Sequence, residues 1–191
     1  MSEVAGTRVE AGSLLVATPM LLDPNFDHTV VLMLDVDENG ALGVVLNRPS
    51  TVEVAEILPD WSELTTGPDV LFSGGPVSTD SALGVAGLQP GDETEPVGFR
   101  RLYDHVGIVD LDTPTEVVGP ALSGLRVFAG YAGWGEEQLT DEVRSGSWYV
   151  LPSEPGDLFG TEPENLWMRV LRRQPGELAW ISTRPLDPTL N

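Results

Sequence analysis

Three side chains of this sequence could form a nucleophilic hydrolase site: Ser73, His28 and His105. Ser73 lies in a glycine turn, and each histidine directly follows an aspartate, Asp27 or Asp104. A serine hydrolase needs a histidine that accepts the serine proton and a carboxylate that orients the histidine. Ser73 lacks the G-x-S-x-G pattern of a nucleophile elbow, however, and adjacency in sequence does not orient an aspartate toward a histidine. A hydrolase is therefore the least favoured of three hypotheses, and we expect both histidines to be hydrogen-bonded residues at strand ends.

Two other stretches could recognise an anion. Gly74, Gly75 and Pro76 form a turn whose successive backbone N–H groups could make an anion nest. Asn47 and Arg48 end an apolar run, in a chain whose ten basic residues include no lysine. The Lys of a P-loop and the spacing of a dinucleotide fingerprint are both missing. A small-ligand site between the GGP turn and the Asn47/Arg48 rim is thus an alternative, while a tight turn and a salt bridge from Arg48 to an acid explain the same residues.

The most distinctive stretch is GYAGWGEEQLTDEV at residues 130–143. Tyr131 and Trp134 alternate with glycines and are followed at once by an acidic helix. Large amphipathic side chains of this kind are enriched as anchors of protein interfaces. The same residues could instead pack beneath the helix, with the glycines allowing close approach. Packing is the favoured interpretation, and a recognition surface remains the alternative.

Composition excludes several classes of function. The chain has no cysteine and two histidines, so disulfides, thiolate catalysis and histidine-rich metal sites are not expected. Thirty acids against ten bases give a formal net charge of −20. Such a charge repels nucleic-acid phosphates and anionic membranes, because affinity for both rests on Lys and Arg. We expect no catalytic residues, no cofactor, no metal and no membrane contact. The acidic N-terminus lacks the apolar core of a signal peptide, and a cytoplasmic location is expected.

The positions of apolar runs, turns and caps predict the elements that carry these residues. Continuous apolar runs indicate strands buried on both faces. The predicted strands cover residues 13–18, 29–35, 41–47, 82–88, 125–131, 147–152 and 178–183. One further strand within 69–80 runs into the GGP turn, and another lies within 101–111. The predicted helices cover residues 51–58, 135–146 and about 161–173, with a helical turn within 115–122.

Strands and helices are mixed without the regular alternation of a doubly wound sheet, and no repeat or linker is visible. The sequence therefore predicts a single α+β domain spanning residues 1–191 around a curved, mainly antiparallel sheet. We expect residues 1–11 and 184–191 to be loose termini.

Several motifs in series resemble the bacterial AlgH/YqgE family. They are LLVATPMLLDPNFDHTVVLML, NGALGVVLNRP, SGGPV, GYAGWGEEQLTDEVRSGSWYVLP and LFGTEPENLWMRVL, and they cover roughly residues 12–173. The resemblance implies a bifurcated sheet that forms a pseudo-barrel with flanking helices. It also implies transcriptional regulation, after a proposed role in the control of alginate synthesis in one lineage, and no established biochemical activity. The matching positions are Asn47, Arg48, Pro49, Gly74, Gly75, Pro76, Gly130, Tyr131, Trp134, Gln138 and Leu139.

The resemblance assigns none of these positions a catalytic role. Seven of them are retained as binding candidates: Asn47, Arg48, Gly74, Gly75, Pro76, Tyr131 and Trp134. The chain also departs from many relatives, which have an acid–His pair where Asp35-Val36 stands here and an arginine where Ser81 stands. These losses weigh against an enzyme. We therefore favour a regulator that acts through an unknown protein partner rather than by direct DNA binding, in an oligomeric state that the sequence leaves open.

Overall fold

The computed structural model of the protein describes residues 8–91 and 93–183. In this part of the chain, ten strands form one curled sheet. The strands are β1 (Ser13–Ala17), β2 (Val30–Asp37), β3 (Gly40–Val45), β4 (Pro49–Glu53), β5 (Val70–Ser73), β6 (Val77–Leu88), β7 (Phe99–Tyr103), β8 (Val106–Val109), β9 (Leu122–Gly135) and β10 (Trp148–Pro152). The α-helices are α1 (Val54–Ile57), α2 (Thr115–Val118), α3 (Gln138–Arg144), α4 (Pro155–Leu158), α5 (Leu166–Arg172) and α6 (Glu177–Ile181). Short 3₁₀ turns cover Pro59–Leu64, Gly119–Ala121 and Pro163–Asn165.

The sheet branches at its longest strand, β9. The main path runs β10-β1-β2-β3-β9-β6-β8-β7, and β5 leaves this path by pairing with β4 on one side and β9 on the other. The β5–β9 pairing is parallel, at Phe72↔Phe128 and Ser73↔Ala129, whereas every other pairing between the described strands is antiparallel. The predicted α+β class, with a bifurcated and mainly antiparallel sheet, is confirmed.

Strand β2 shows why the continuous apolar runs predict strands that are covered on both faces. Successive side chains of a strand point to opposite faces. Val30, Leu32 and Leu34 belong to one core cluster, and Val31 and Met33 belong to another. All five are at most 1% exposed. The first cluster also receives α5, and the second lies beneath α3, so helices cover both faces of this part of the sheet.

Helix α3 ends as its sequence predicts. Gly146 adopts φ +86°, its N–H donates to the Val143 carbonyl, and the Ser147 N–H donates to the Glu142 carbonyl. This pair of bonds is a Schellman motif, in which glycine takes the left-handed conformation without a steric penalty. The helix itself is shorter than predicted and begins at Gln138.

Three predicted elements differ from the structure. Residues 178–183 were predicted as a strand, but α6 begins at Glu177, after Gly176 with φ +70°. Leu178 and Ile181, three residues apart, pack on the core while Trp180 is 78% exposed, which is helical spacing. Residues 51–58 do not form one helix, because Thr51 and Val52 belong to β4 and only the following turn is helical.

The third difference is in residues 101–111, which hold the end of β7 and the whole of β8 rather than one strand. Asp104 adopts φ +43° and turns the chain between β7 and β8, which pair antiparallel. Of the predicted loose N-terminus, residues 8–11 are described, and Val9 packs against the core cluster beneath α3. Residues 1–7 and 184–191, for which loose termini were predicted, lie outside the described residues.

Candidate functional site

Trp134 lies inside the fold and is held by a carboxylate. Its side chain is 6% exposed, and its indole N–H donates to Glu142 Oε2 at 2.9 Å. The Trp148 indole N–H donates to the same oxygen at 2.8 Å, and Gln138 Nε2 donates to the other carboxylate oxygen at 3.0 Å. One glutamate of α3 therefore ties the helix to β9 and β10. The structure places Trp134 in the packing role, and Tyr131, three residues before it, is half-buried against the main core cluster.

The GGP turn is occupied by backbone rather than open to a ligand. Gly74 N–H donates to the Ala129 carbonyl, and the Gly74 carbonyl accepts from Val45 N–H, both at 2.9 Å. A Cβ on Gly75, which has φ +153°, would lie 2.2 Å from the carbonyl carbon of Tyr131. A Cβ on Gly74 would lie 2.3 Å from the Gly130 carbonyl oxygen. The glycines of the two motifs thus serve the same purpose, which is to let β9 and the turn approach each other closely. Pro76, which follows, is exposed.

Asn47 and Arg48 hold a loop. Asn47 Nδ2 donates to the His28 carbonyl at 2.8 Å, and its Oδ1 accepts from Val30 N–H at 2.9 Å. Arg48 donates from Nη1 to the Asn25 carbonyl at 2.7 Å and from Nη2 to the Asp27 carbonyl at 3.1 Å. Among the described residues, Arg48 does not form the expected salt bridge. It donates hydrogen bonds to backbone carbonyls of the loop instead.

Burial lowers the pKa of the Arg48 guanidinium, and the nearby charges of Asp27 and Asp23 oppose that effect. The carboxylates thus favour the charged form even though backbone oxygens supply the hydrogen bonds. Arg48 remains a cation in this position and is engaged with the protein itself.

The same loop, residues 18–28, is held from two further sides, and we refer to it as the clamped loop. The Phe26 ring lies 6.0 Å from the Trp134 ring and 5.5 Å from the Trp148 ring. At the other end, Thr18 Oγ1 donates to the Gly146 carbonyl at 2.7 Å. Asparagine, arginine, the aromatic cluster and the end of α3 therefore all fix one segment of the chain.

The clamped loop displays two apolar side chains to solvent. Met20 is 77% exposed and Leu22 is 78% exposed, although the backbone on both sides of them is tied to the body of the protein. Exposed acids, Asp23 and Asp27, lie in the same loop. The loop thus presents a pair of exposed apolar side chains beside carboxylates, on a backbone that is anchored on both sides.

The hydrolase residues are not brought together. His28 Nδ1 lies 2.5 Å from Asp27 Oδ1, and the His28 ring packs against Trp167 at 4.7 Å between ring centroids. His105 is exposed at the turn between β7 and β8, and Ser73 is exposed at the end of β5. No hydrogen bond among the described residues joins Ser73 to either histidine. The pairing of Asp27 with His28 accordingly fits a local loop contact.

Two ionisable groups elsewhere are strongly perturbed. Arg126 is 1% exposed, donates to the carbonyls of Leu158, Gly67 and Gly160, and lies 4.4 Å from the centre of the Phe72 ring. Burial lowers the pKa of Arg126 to about 10. The other group is Tyr103. Among the described residues, Arg126 has no carboxylate partner, and it acts as a tie between β9 and two loops.

Burial, followed by the charges of Asp104 and Asp157, raises the pKa of the Tyr103 phenol above its ordinary range. Asp157 is itself buried and bonded to Arg173 at 2.7 Å, and this hydrogen bond raises the pKa of the Arg173 guanidinium. Asp157 thus forms an ion pair with Arg173 and lines one small cavity together with Tyr103 and Asp104.

No group of three or more histidines or acids within residues 8–91 and 93–183 is arranged to hold a metal ion. None of the described helices is both long enough and apolar enough to span a bilayer.

The two departures from the family resemblance lie in different environments. Val36 is half-buried near the end of β2 and lines a surface cleft beside α3. Ser81 is exposed in the first half of β6, where the pairing with β9 shifts between Val77 and Ala82. Neither position belongs to the clamped loop.

Fold and site together define an α+β domain with a curled, branched sheet. The Gly-Gly-Pro and Gly-Tyr motifs support the sheet, and the Asn-Arg motif holds the clamped loop. The chain belongs to the AlgH-like family, whose sequence model matches residues 14–179. It is 56% identical over 193 residues to a UPF0301 protein of Streptomyces coelicolor, with 100% of this chain and 98% of that protein covered. It is 50% identical over 189 residues to a UPF0301 protein of Thermobifida fusca, with 94% of each covered.

Solved structures agree with the fold. A crystal structure of a Corynebacterium diphtheriae protein superposes with a TM-score of 0.88 at 34% identity, covering 93% of this chain and 94% of that one. The solution structure of AlgH from Pseudomonas aeruginosa superposes with a TM-score of 0.68 at 24% identity, covering 97% of this chain and 98% of that one. The second likeness concerns the fold alone.

Sequence reasoning missed the residues that hold the clamped loop from the aromatic side. Phe26, Trp148 and Glu142 were not singled out, although Trp134 was. The spacing of Gln138 and Glu142, four residues apart on one helix face, was available as a signal. Their partner on another strand was not, because it lies close only after the sheet has formed.

Proposed function

We propose that the protein is a non-enzymatic regulatory module that acts by contact with another protein. The observation that carries this proposal is the convergence of independent anchors on the clamped loop, which leaves Met20 and Leu22 exposed on a fixed backbone. A preorganised apolar pair loses little conformational entropy when it is covered, and this favours binding. Three of the predicted binding residues, Asn47, Arg48 and Trp134, thus act indirectly: they hold the loop and do not touch the partner.

The charge of the protein indicates what kind of partner fits. The loop carries Asp23 and Asp27, and the neighbouring cation Arg48 is bonded to the loop itself. The whole chain has a formal net charge of −20. The expected partner therefore presents an apolar pocket bordered by Lys or Arg, since complementary charge speeds association and excludes wrong partners. Any influence on transcription would pass through this partner rather than through DNA.

The test uses exposed substitutions that leave the fold intact. The double variant Met20→Ser/Leu22→Ser removes the displayed pair, and Val97→Ser/Val117→Ser removes two other side chains that are 77% and 51% exposed. Each protein would be crosslinked in lysate of the source organism, and captured proteins then tested by calorimetry as purified pairs. A partner that binds the wild type and the Val97/Val117 variant, but not the loop variant, supports the proposal. Identical partners for all three proteins would contradict it.

Direct DNA binding is tested separately. Gel-shift assays at physiological salt should show no sequence-specific complex at sub-micromolar protein, because a domain this acidic cannot release counterions from the phosphates. A specific complex with bare DNA would overturn the proposed mode of action.

A further inference from the structure

A second surface lies next to α3, away from its contact with the aromatic cluster. A cleft of about 890 Å³ separates α3 from the turn between β2 and β3 and from residues 8–10, and we refer to it as the hairpin cleft. Glu142 bonds to both tryptophans and Gln138 bonds to Glu142, whereas Leu139, Thr140 and Val143 line the cleft. Helix α3 thus separates two surfaces and contributes side chains to both.

Two glycines line the cleft where β3 meets β9. Gly40 and Gly135 are paired between β3 and β9. Gly40 has φ +150°, and a Cβ there would lie 2.4 Å from the Trp134 carbonyl oxygen, so the position requires glycine. A Cβ on Gly135 would meet no atom within 4 Å. No side chain of this pair fills the space between the hairpin and the helix.

The lining of the cleft combines an apolar floor with a carboxylate rim. Aliphatic surface comes from the β2–β3 hairpin, α3 and Val9, and the rim carries Glu10, Asp37, Glu38 and Glu136. Two cations, Arg8 and Arg144, also line the cleft, and Arg144 lies 3.5 Å from Asp141. Asp37 accepts hydrogen bonds from two backbone N–H groups of the turn, and these bonds fix the position of its carboxylate. An occupant that pairs with this rim must be cationic, and one that covers this floor must be aliphatic.

We propose that the hairpin cleft binds a peptide segment of a partner protein in which aliphatic side chains alternate with Lys or Arg. The inference rests on the proposed function only in that the occupant is a protein, and it adds a binding site distinct from the clamped loop. Charge complementarity favours this occupant over the chain's own first seven residues, which contain an acid and no base.

The experiment uses defined probes. A fluorescein-labelled ten-residue peptide of alternating leucine and arginine is titrated in fluorescence anisotropy, beside a serine/arginine peptide and a leucine/glutamate peptide of the same length. The leucine/arginine peptide should bind at least tenfold more tightly than either comparison peptide. Its amide chemical-shift changes in NMR should centre on α3 and the β2–β3 hairpin.

Two matched pairs of variants separate the cleft from general surface charge. Thr140→Trp fills the cleft and should weaken binding at least tenfold, whereas Thr161→Trp, exposed elsewhere, should not. Glu38→Lys/Glu136→Lys should weaken binding far more than Glu93→Lys/Glu164→Lys, which changes net charge by the same amount outside the cleft. Equal loss in both charge variants, or equal binding of the serine/arginine peptide, would overturn the proposal.

Two further outcomes distinguish the two surfaces and the alternative occupant. Met20→Ser/Leu22→Ser should leave peptide binding unchanged, so failure of the clamped-loop proposal would be visible independently. Removal of residues 1–7 should leave affinity within twofold. A tenfold gain on removal, with matching shifts at the cleft, would show that the chain's own N-terminus fills the site and would overturn an external partner.

Discussion

At the residue scale, Arg126 shows how a buried charge can be retained without a carboxylate. Its guanidinium donates to three backbone carbonyls, two of them at 2.9 and 3.1 Å, and lies over the face of the Phe72 ring. Its Nε is buried and has no hydrogen-bond partner within residues 8–91 and 93–183. The side chain therefore fixes the loops at Gly67 and at Leu158–Gly160 to β9, against the cost of removing its charge from water.

This balance predicts the order of two substitutions. Arg126→Met loses the three hydrogen bonds but also removes the buried charge, and should destabilise by about 1–3 kcal/mol. Arg126→Lys keeps a charge of this sign but cannot reproduce the planar fork, so it should be the more destabilising variant by at least about 1 kcal/mol. Urea unfolding of both variants measures the difference. A lysine variant more stable than the methionine variant would show that the charge itself stabilises the fold.

Tyr103 predicts a pH dependence whose sign follows from its burial. Its pKa is raised in the folded protein, mainly by burial and further by Asp104 and Asp157. The tyrosine phenol of an unfolded chain titrates at about pH 10. The stability that protonated Tyr103 contributes is therefore fully present below about pH 10 and is lost as the pH rises further, because the unfolded chain releases the proton first.

Urea unfolding at pH 9 and pH 11 measures this effect. The wild type should lose about 1 kcal/mol more than Tyr103→Phe over this interval. Deprotonation of Arg126 would affect both proteins alike and cancels in the comparison. Equal losses in the two proteins would mean that the Tyr103 phenol titrates as it does in water.

At the scale of elements, the close approach of β9 to the GGP turn depends on the absence of a side chain. Gly75→Ala would place a methyl group 2.2 Å from the Tyr131 carbonyl carbon, at φ +153°. Backbone on both sides must move, so we expect a loss of at least about 3 kcal/mol. Gly133→Ala is the matched control on the same strand, since its Cβ would lie 3.7 Å from the nearest atom. Thermal unfolding should leave the control within about 0.5 kcal/mol of wild type, and a mild Gly75→Ala would show that the turn can separate from β9.

The same scale explains what the sequence could predict. Strands such as β2, β3 and β9 were predicted because each is an apolar run that both faces of a sheet can bury. The end of α3 was predicted because its glycine cap is local. The clamped loop was not, because Thr18 bonds to Gly146, which is 128 residues away, and no local pattern records such a contact. Residues 178–183 were misassigned because a short apolar run fits a strand or a helix equally well.

At the scale of the whole molecule, the net negative charge affects both which molecules the protein can bind and how stable its fold is. Thirty acids and ten bases leave a large excess of negative charge, mostly on exposed side chains. Like charges repel one another in the compact state more than in the unfolded chain. That repulsion reaches about 30 Å at 0.01 M salt and about 8 Å at 0.15 M salt. The folded state should therefore be more stable in salt.

We expect the thermal midpoint to rise by about 3–6 °C between 10 mM and 150 mM sodium chloride, which corresponds to roughly 1–2 kcal/mol for a chain of this size. Potassium chloride should give the same rise, since screening depends on ionic strength and not on the cation. A flat midpoint would mean that the surface acids are already paired or too far apart to repel.

Binding of a basic partner should weaken over the same range, because the screening that relieves repulsion within the protein also reduces attraction between the two proteins. Opposite salt responses of stability and of association would identify the negative surface as the common cause of both.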